Sequence, residues 1–401
     1  MLSAMAMVAA LTAFLAFAPF ASAASDPLAS GTTKIILNSG FSNTLKKSDV
    51  KLLKISPATV KKQTVTLSVT EGEIDPLTGQ GTMTLSGGFK FKHGKKSAPV
   101  KALVLNTTSK SLSGKVAGTK MKIASVSGIS VARNGFGANV AVKKLKLTSK
   151  AAKQLNKKLG FGGKEKKKHK RAAASSKDKS SSGSKAPFKG GQLMGSSASE
   201  TQPKTVTVLP GNKANLVTNL ATVKKFTTEI GKGGLGVAIE AISPGELEIA
   251  LPPVLKFPIL GGSIAPDATS GIVQTGGGVK LHQALGGGLE TNMLLNAIWV
   301  DLGAHTATVE VTVESNVDPK LNLGFIGRSS IADVSLVGAT VKSVAATHTV
   351  TVENATATLQ AVTAETLNSV FGAPLEAKKI PFEKFAPGDG LGIFSFTVQT
   401  Q

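Results

Sequence analysis

An internal repeat is the feature that most constrains this chain. Residues 67–91, LSVTEGEIDPLTGQGTMTLSGGFKF, align without a gap on residues 257–281, FPILGGSIAPDATSGIVQTGGGVKL, at an offset of 190. The identities are Gly72/Gly262, Ile74/Ile264, Pro76/Pro266, Gly81/Gly271, Gly87/Gly277, Gly88/Gly278 and Lys90/Lys280. Flanking blocks recur in the same order. FSNTL at 41–45 matches FTTEI at 226–230, and Ile55-Ser56-Pro57 matches Ile242-Ser243-Pro244. LNKKLG at 155–160 matches LNSVFG at 367–372, and FKGGQLMGSSASETQ at 188–202 matches FAPGDGLGIFSFTVQ at 385–399. Ordered self-similarity of this kind means two copies of one domain.

Each copy reads as strands. TVTLSV at 64–69, TATVEVTV at 306–313 and THTVTVENATATL at 347–359 alternate polar and apolar residues, the period of a half-buried strand. The Gly-x-Ile-x-Pro blocks end one strand and turn the chain. One segment per copy breaks the pattern. LTSKAAKQLNKKLG has Thr148 or Ser149 as cap, an apolar face of Ala151, Ala152, Leu155 and Leu159, and Gly160 as stop. VTAETLNSVFG repeats it, with Thr363 as cap and Gly372 as stop. The expected fold is all-β: two tandem β-sandwich-like domains, or flattened barrels, each with one short C-terminal helix. The expected boundaries are 24–202 and 213–401, with 203–212 as linker.

Residues 161–187, FGGKEKKKHKRAAASSKDKSSSGSKAP, lack periodicity and are expected to be a disordered basic insertion in the first domain. Residues 1–23 are apolar, uncharged and end in Ala-Ser-Ala, the pattern of a signal peptide cut after Ala23. No later run is long and apolar enough to serve as a C-terminal anchor. The expected destination is secretion or the cell envelope. Charge is uneven: residues 24–160 carry +19, residues 161–190 carry +8 and residues 191–401 carry −4. Such asymmetry points to an anionic partner for the first half. Cysteine is absent, which excludes disulfides, thiolate zinc sites and a cysteine nucleophile.

The Gly-x-Ile-x-Pro run, the glycine pair followed by FKF or VKL, the Leu-Asn helix and the closing Phe-x-x-Gly strand together resemble the HtaA domain of exported actinobacterial proteins. The resemblance covers both copies. It implies haem capture at the cell surface through a tyrosine that follows a phenylalanine early in the domain, supported by a histidine. Here Phe41 is followed by Ser42, Asn43, Thr44 and Leu45, and Phe226 by Thr227, Thr228, Glu229 and Ile230; the chain contains no tyrosine. The ligand that the resemblance implies is therefore missing from both copies.

The remaining ligand candidates are His93 and His282, one position out of register at the offset of 190, which on a strand puts them on opposite faces. Either is also readable as an exposed turn residue. His169, His305 and His348 form no metal-ligand spacing, so no metal site is expected. No Gly-x-Ser-x-Gly elbow is present, Glu73 and Asp75 flank a turn and could face one way, and GKGGLG at 231–236 is a turn rather than a phosphate loop. The expected class is a non-enzymatic binding module of the envelope. The alternative is a structural or adhesive protein that holds anionic wall polymer or a lipid surface through its basic first half. Lys164, Lys166, Lys167, Lys168, Lys170 and Arg171 are its candidate contacts, readable equally as a solubilising loop. One tryptophan and no tyrosine leave little for base stacking, and nucleic acid is not expected. Limited trypsin digestion should cut first among Lys164–Lys185 and leave two resistant fragments; earlier cleavage elsewhere would count against the insertion.

Overall fold

A computed structural model describes residues 25–161 and 186–401. The expected leader at 1–23 and the six basic residues Lys164–Arg171 lie outside them. The chain forms two compact units, divided between Gln202 and Pro203. No helix among the described residues is long and apolar enough to cross a membrane.

The first unit runs β1 (Asp26–Leu37), α1 (Ser39–Lys47), β2 (Lys51–Ile55), β3 (Thr59–Lys61), β4 (Thr64–Ile74), β5 (Gly81–His93), β6 (Lys96–Asn106), β7 (Ser111–Val116), β8 (Thr119–Asn134), β9 (Gly137–Leu147), α2 (Ser149–Leu159) and β10 (Leu193–Pro203). Strands β5 to β10 are antiparallel neighbours in chain order, followed by β1 and β4, and β4 pairs back onto β5. The ladder is thus a closed eight-stranded ring, which leaves no edge within it. Strand β2 extends the second half of β5, and β3 extends β4. Along each strand the buried residues alternate, as in β4, where Val65, Leu67 and Val69 face the interior.

The second unit runs β11 (Val206–Leu209), β12 (Lys213–Thr218), α3 (Leu220–Thr227), β13 (Val237–Ile242), β14 (Glu246–Glu248), β15 (Val254–Ile264), β16 (Gly271–Thr275), β17 (Gly278–Ala284), β18 (Glu290–Asp301), β19 (Thr306–Ser315), β20 (Gly324–Ser335), β21 (Thr340–Val344), β22 (Thr349–Leu359), α4 (Ala361–Leu367), α5 (Ala373–Ala377) and β23 (Gly390–Thr400). Its strand order repeats the first, with β16 and β17 together in the place of β5. The ring runs β16-β18-β19-β20-β22-β23-β12-β15 and returns to β16. Two copies of one all-β architecture are present.

The repeated glycines sit where the ring closes. Gly72 pairs with Met83, and Ile74 with Gly81; Gly262 pairs with Val273, and Ile264 with Gly271. A Cβ on Gly72 or Gly81 would strike the backbone carbonyl of the opposite strand, as would one on Gly262 or Gly271. Glycine is required by this close approach.

The Leu-Asn block also has a physical cause. Asn156 Nδ2 donates to Phe188 O at 2.8 Å, and Phe188 N donates to Asn156 Oδ1 at 3.2 Å. Asn368 makes the same clamp on Phe385, at 2.9 Å in both directions. Each copy thereby fastens its C-terminal helix to the segment that leads into its last strand.

Four sequence expectations are corrected. Residues 203–212 are not a linker: Val206 and Val208 are buried, and β11 pairs with β15 and β23, the same two neighbours as β12, so that it extends the place of β12 in the second ring. Each copy has an additional N-terminal helix, α1 capped by Asn38 and α3 by Asn219. The second C-terminal helix begins after Gln360 rather than at Thr363. It does not stop at Gly372 but continues through a π-helical turn, Asn368–Gly372, into α5. Gly372 is needed there because the Phe382 ring packs against it. The insertion's expected first residue is folded, because Phe161 is buried and stacked on His93 with centroids 4.4 Å apart.

Replacing Asn156 or Asn368 with alanine removes two hydrogen bonds and strands a buried backbone pair. The expected loss is about 2–3 kcal/mol from the unit concerned, read by chemical denaturation.

Candidate ligand cavity

The ladders fix which residues correspond. Ile36 pairs with Thr64, and Val217 with Val254. Strands β4 and β15 differ by 190, so β1 and β12 differ by 181, and Asn38 matches Asn219. Phe41 therefore corresponds to Thr222, not Phe226, and Leu45 corresponds to Phe226. On β5, Phe89 and Phe91 correspond to Val279 and Leu281 on β17, because Gly88 faces Ile55 as Gly278 faces Ile242.

These swaps separate the two interiors. In the first ring Phe41, Phe89 and Phe91 are each 1% exposed, and Phe41 and Phe91 also contact the Phe188 ring. Helix α2 seals this interior with Ala151, Ala152, Leu155 and Leu159, packing chiefly on β6 and β8. In the second ring threonine, valine and leucine replace the three phenylalanines. Phe226 and Phe257, opposite Leu45 and Leu67 of the first copy, return only part of the volume. Helix α4 packs chiefly on β20, and its Val362 is 70% exposed.

A cavity of about 290 Å³ remains inside the second ring. Leu255, Phe257, Val279, Leu281, Met293 and Val309 form its walls, with Ile326 on β20 and Val362 on α4 among the residues that bound it. Val362 and Ile326 are exposed, so the mouth lies between α4 and β20. Polar groups are few. Thr222 Oγ1 is used by Gly390 O. Ser330 borders the cavity, and its Oγ is buried with no hydrogen-bond partner among the described residues. However, Ser330 faces Thr308 across β19 and β20, on the side of the Glu310–Arg328 pair, whereas Ser329 faces buried Val309 and so points inward. With Ser329 and Thr363 among its few polar lining residues, the pocket suits a largely apolar ligand.

The histidines lie elsewhere. His282 alternates with Leu281, which lines the cavity, and so lies on the outer face, with Nδ1 2.8 Å from Asn292 Oδ1. His93 Nδ1 donates to Leu159 O at 3.1 Å, at the end of α2. Its counterpart is Gln283, whose Nε2 donates to Phe371 O at 3.2 Å and to Leu235 O at 2.6 Å. Since Leu159 matches Phe371, both side chains tie a strand to the same helix-end carbonyl. His93 and His282 belong to different units. The cavity wall holds no histidine, cysteine or tyrosine, and Met293 is its only sulfur ligand. These residues do not fit ligation of a ferric haem iron by a charged oxygen. No cluster of three potential metal ligands exists among the described residues.

Glu73 and Asp75 do not face one way. Glu73 is exposed, whereas buried Asp75 accepts from Leu77 N at 2.8 Å and Thr78 Oγ1 at 2.6 Å to hold a turn.

Helix α3, which supplies Thr222, Val223 and Phe226 to the cavity, is held by charge. Lys225 Nζ lies 2.7 Å from Asp389 Oδ2 and 3.4 Å from Glu383 Oε1. Burial works against both charges, but the hydrogen bond prevails: Lys225 is raised above the ordinary lysine value, and Asp389 is lowered below the ordinary carboxylate value.

No protein-family model and no curated protein matches the chain. Among solved structures, it is similar to the C-terminal domain of HtaA from Corynebacterium glutamicum at 13% identity and TM-score 0.32, covering 48% of this chain and 98% of that one. The N-terminal domain of the same protein gives 14% identity and TM-score 0.32, covering 48% and 99%.

Asp389 contributes stability above the ordinary carboxylate range and loses it as pH falls through its depressed value. Thermal melts should show the second unit weakening on acidification through that range. Asp389→Asn should flatten that limb and cost about 1–2 kcal/mol at neutral pH.

Proposed function

We propose that this chain is an exported, non-enzymatic binding protein of HtaA-like architecture, and that its second barrel holds an apolar small molecule. The observation that carries the reading is the cavity lined by Val279, Leu281 and Met293, set against the phenylalanine-filled interior of the first copy. The ordered motifs shared by the two copies support the HtaA-like assignment. The haem capture that the resemblance implies finds neither a tyrosine nor a cavity-facing histidine here. Haemin binding is accordingly expected to be weak, and the favoured ligand is recognised chiefly by apolar burial.

The test uses a solvatochromic apolar dye such as anilinonaphthalene sulfonate. The folded chain should bind it saturably. Leu281→Phe and Val279→Phe, which copy residues that the first barrel already accommodates, should weaken binding at least tenfold while the fold persists. Unchanged binding by both variants would refute the cavity as the site. In a parallel haemin titration, tight Soret-active binding lost in His93→Ala or His282→Ala would restore a haem site. Failure of both ligands to bind would leave the structural or adhesive reading.

A further inference from the structure

We propose that the outer wall of the first barrel, formed by β2 and β5 to β9, is a docking surface for a linear polyanion. The register brings lysines directly opposite one another across strands. Lys51 faces Lys92 across β2 and β5. Lys101 faces Lys115 across β6 and β7, and Lys115 faces Lys120 across β7 and β8. All five are exposed. Strands β8 and β9 continue the wall with exposed Lys122 and Lys146. Neighbouring strands stand about 4.8 Å apart, and alternate residues along a strand about 6.8 Å apart. The lysines therefore form a closely spaced positive lattice.

Among the described residues no carboxylate pairs with this lattice. Residues 76–164 contain no aspartate or glutamate. Like charges directly opposite destabilise a sheet. The second barrel shows the alternative. Lys280, the counterpart of Lys90, pairs with Glu240 across β13 and β17 at 3.3 Å. Across β19 and β20, Glu310 pairs with Arg328 at 3.1 Å. In the first barrel the position matching Glu240 is Leu53, opposite Lys90. One copy of the wall is thus charge-balanced, and the other is left uniformly positive at a cost in stability.

The chemistry of the wall selects the partner. It presents lysine point charges: Arg133 of β8 lies opposite buried Ala138 with its guanidinium nitrogens buried, and Phe89 and Phe91 face inward. Such a surface reads charge density and not bases. The wall belongs to a closed barrel and curves, so a flexible chain can follow it across six strands. A flat bilayer would meet only a few of them. The occupant is therefore a chain of closely spaced phosphate or similar anionic groups. This inference is independent of the cavity in the second barrel.

The experiment measures binding of the full chain to long-chain inorganic polyphosphate at two salt concentrations. Binding should fall steeply with salt, because docking releases counterions. Lys101→Gln/Lys115→Gln/Lys120→Gln should weaken binding at least tenfold at low salt and lower the salt slope by about 2. Its melting midpoint should hold or rise, because repulsion is relieved; a fall would mark simple misfolding. Leu53→Glu, which gives Lys90 the partner that Lys280 has, should weaken binding severalfold in a folded protein. A chain with Lys164, Lys166, Lys167, Lys168, Lys170 and Arg171 changed to glutamine tests the insertion. If that variant abolishes binding and the strand variants do not, the wall is not the site. Full displacement of polyphosphate by anionic phosphatidylglycerol vesicles at equal lipid charge would overturn the linear-polymer assignment in favour of a membrane surface. Equal displacement by duplex DNA would overturn it in favour of nucleic acid.

Discussion

Closure of each strand ladder is the constraint on which the rest of the structure depends. In the first unit β4 returns to β5, and in the second β15 returns to β16. Both closures bring backbones too close for side chains at Gly72, Gly81, Gly262 and Gly271. Once the ring is closed, its interior volume is set largely by strand number and stagger rather than by what fills it. Side chains must then match that volume or leave a void. The same scaffold can hold a solid core or a chamber, depending on a few inward positions.

Three correspondences decide the outcome here. Phe41, Phe89 and Phe91 in one copy correspond to Thr222, Val279 and Leu281 in the other. A helix completes the difference: α2 seats four apolar residues over its ring, whereas α4 leaves Val362 exposed beside an opening. The clamps by Asn156 and Asn368 are common to both copies and hold the two lids by the same bonds. What differs is therefore the filling and not the frame.

Much of this frame is legible in the sequence, because glycine, proline and alternation act locally. The duplicated blocks mark the closure, the strands and the C-terminal helices. The N-terminal helices are missed although Asn38 and Asn219 are good caps, since they are only 9 and 8 residues long. Matching FSNTL to FTTEI by resemblance sets Phe41 against Phe226, four residues out of the register that the ladders impose. The same local matching cannot reveal that His93 and Gln283 share one task, because the carbonyls they bind lie at Leu159 and Phe371, far along the chain. A cavity is harder still to foresee. It is a deficit of volume summed over residues from many strands, and no single position announces it.

The two copies also differ in the sign of their surface electrostatics. The second barrel joins strands and loops with opposite charges, such as Lys213 with Glu246 and Lys256 with Glu248. The first sets lysine against lysine. Dissolved salt shortens the range of both effects. Raising ionic strength relieves repulsion in the first copy and weakens attraction in the second. Two folds with one topology thus respond to their medium in opposite senses, and the difference between their stabilities becomes a function of salinity.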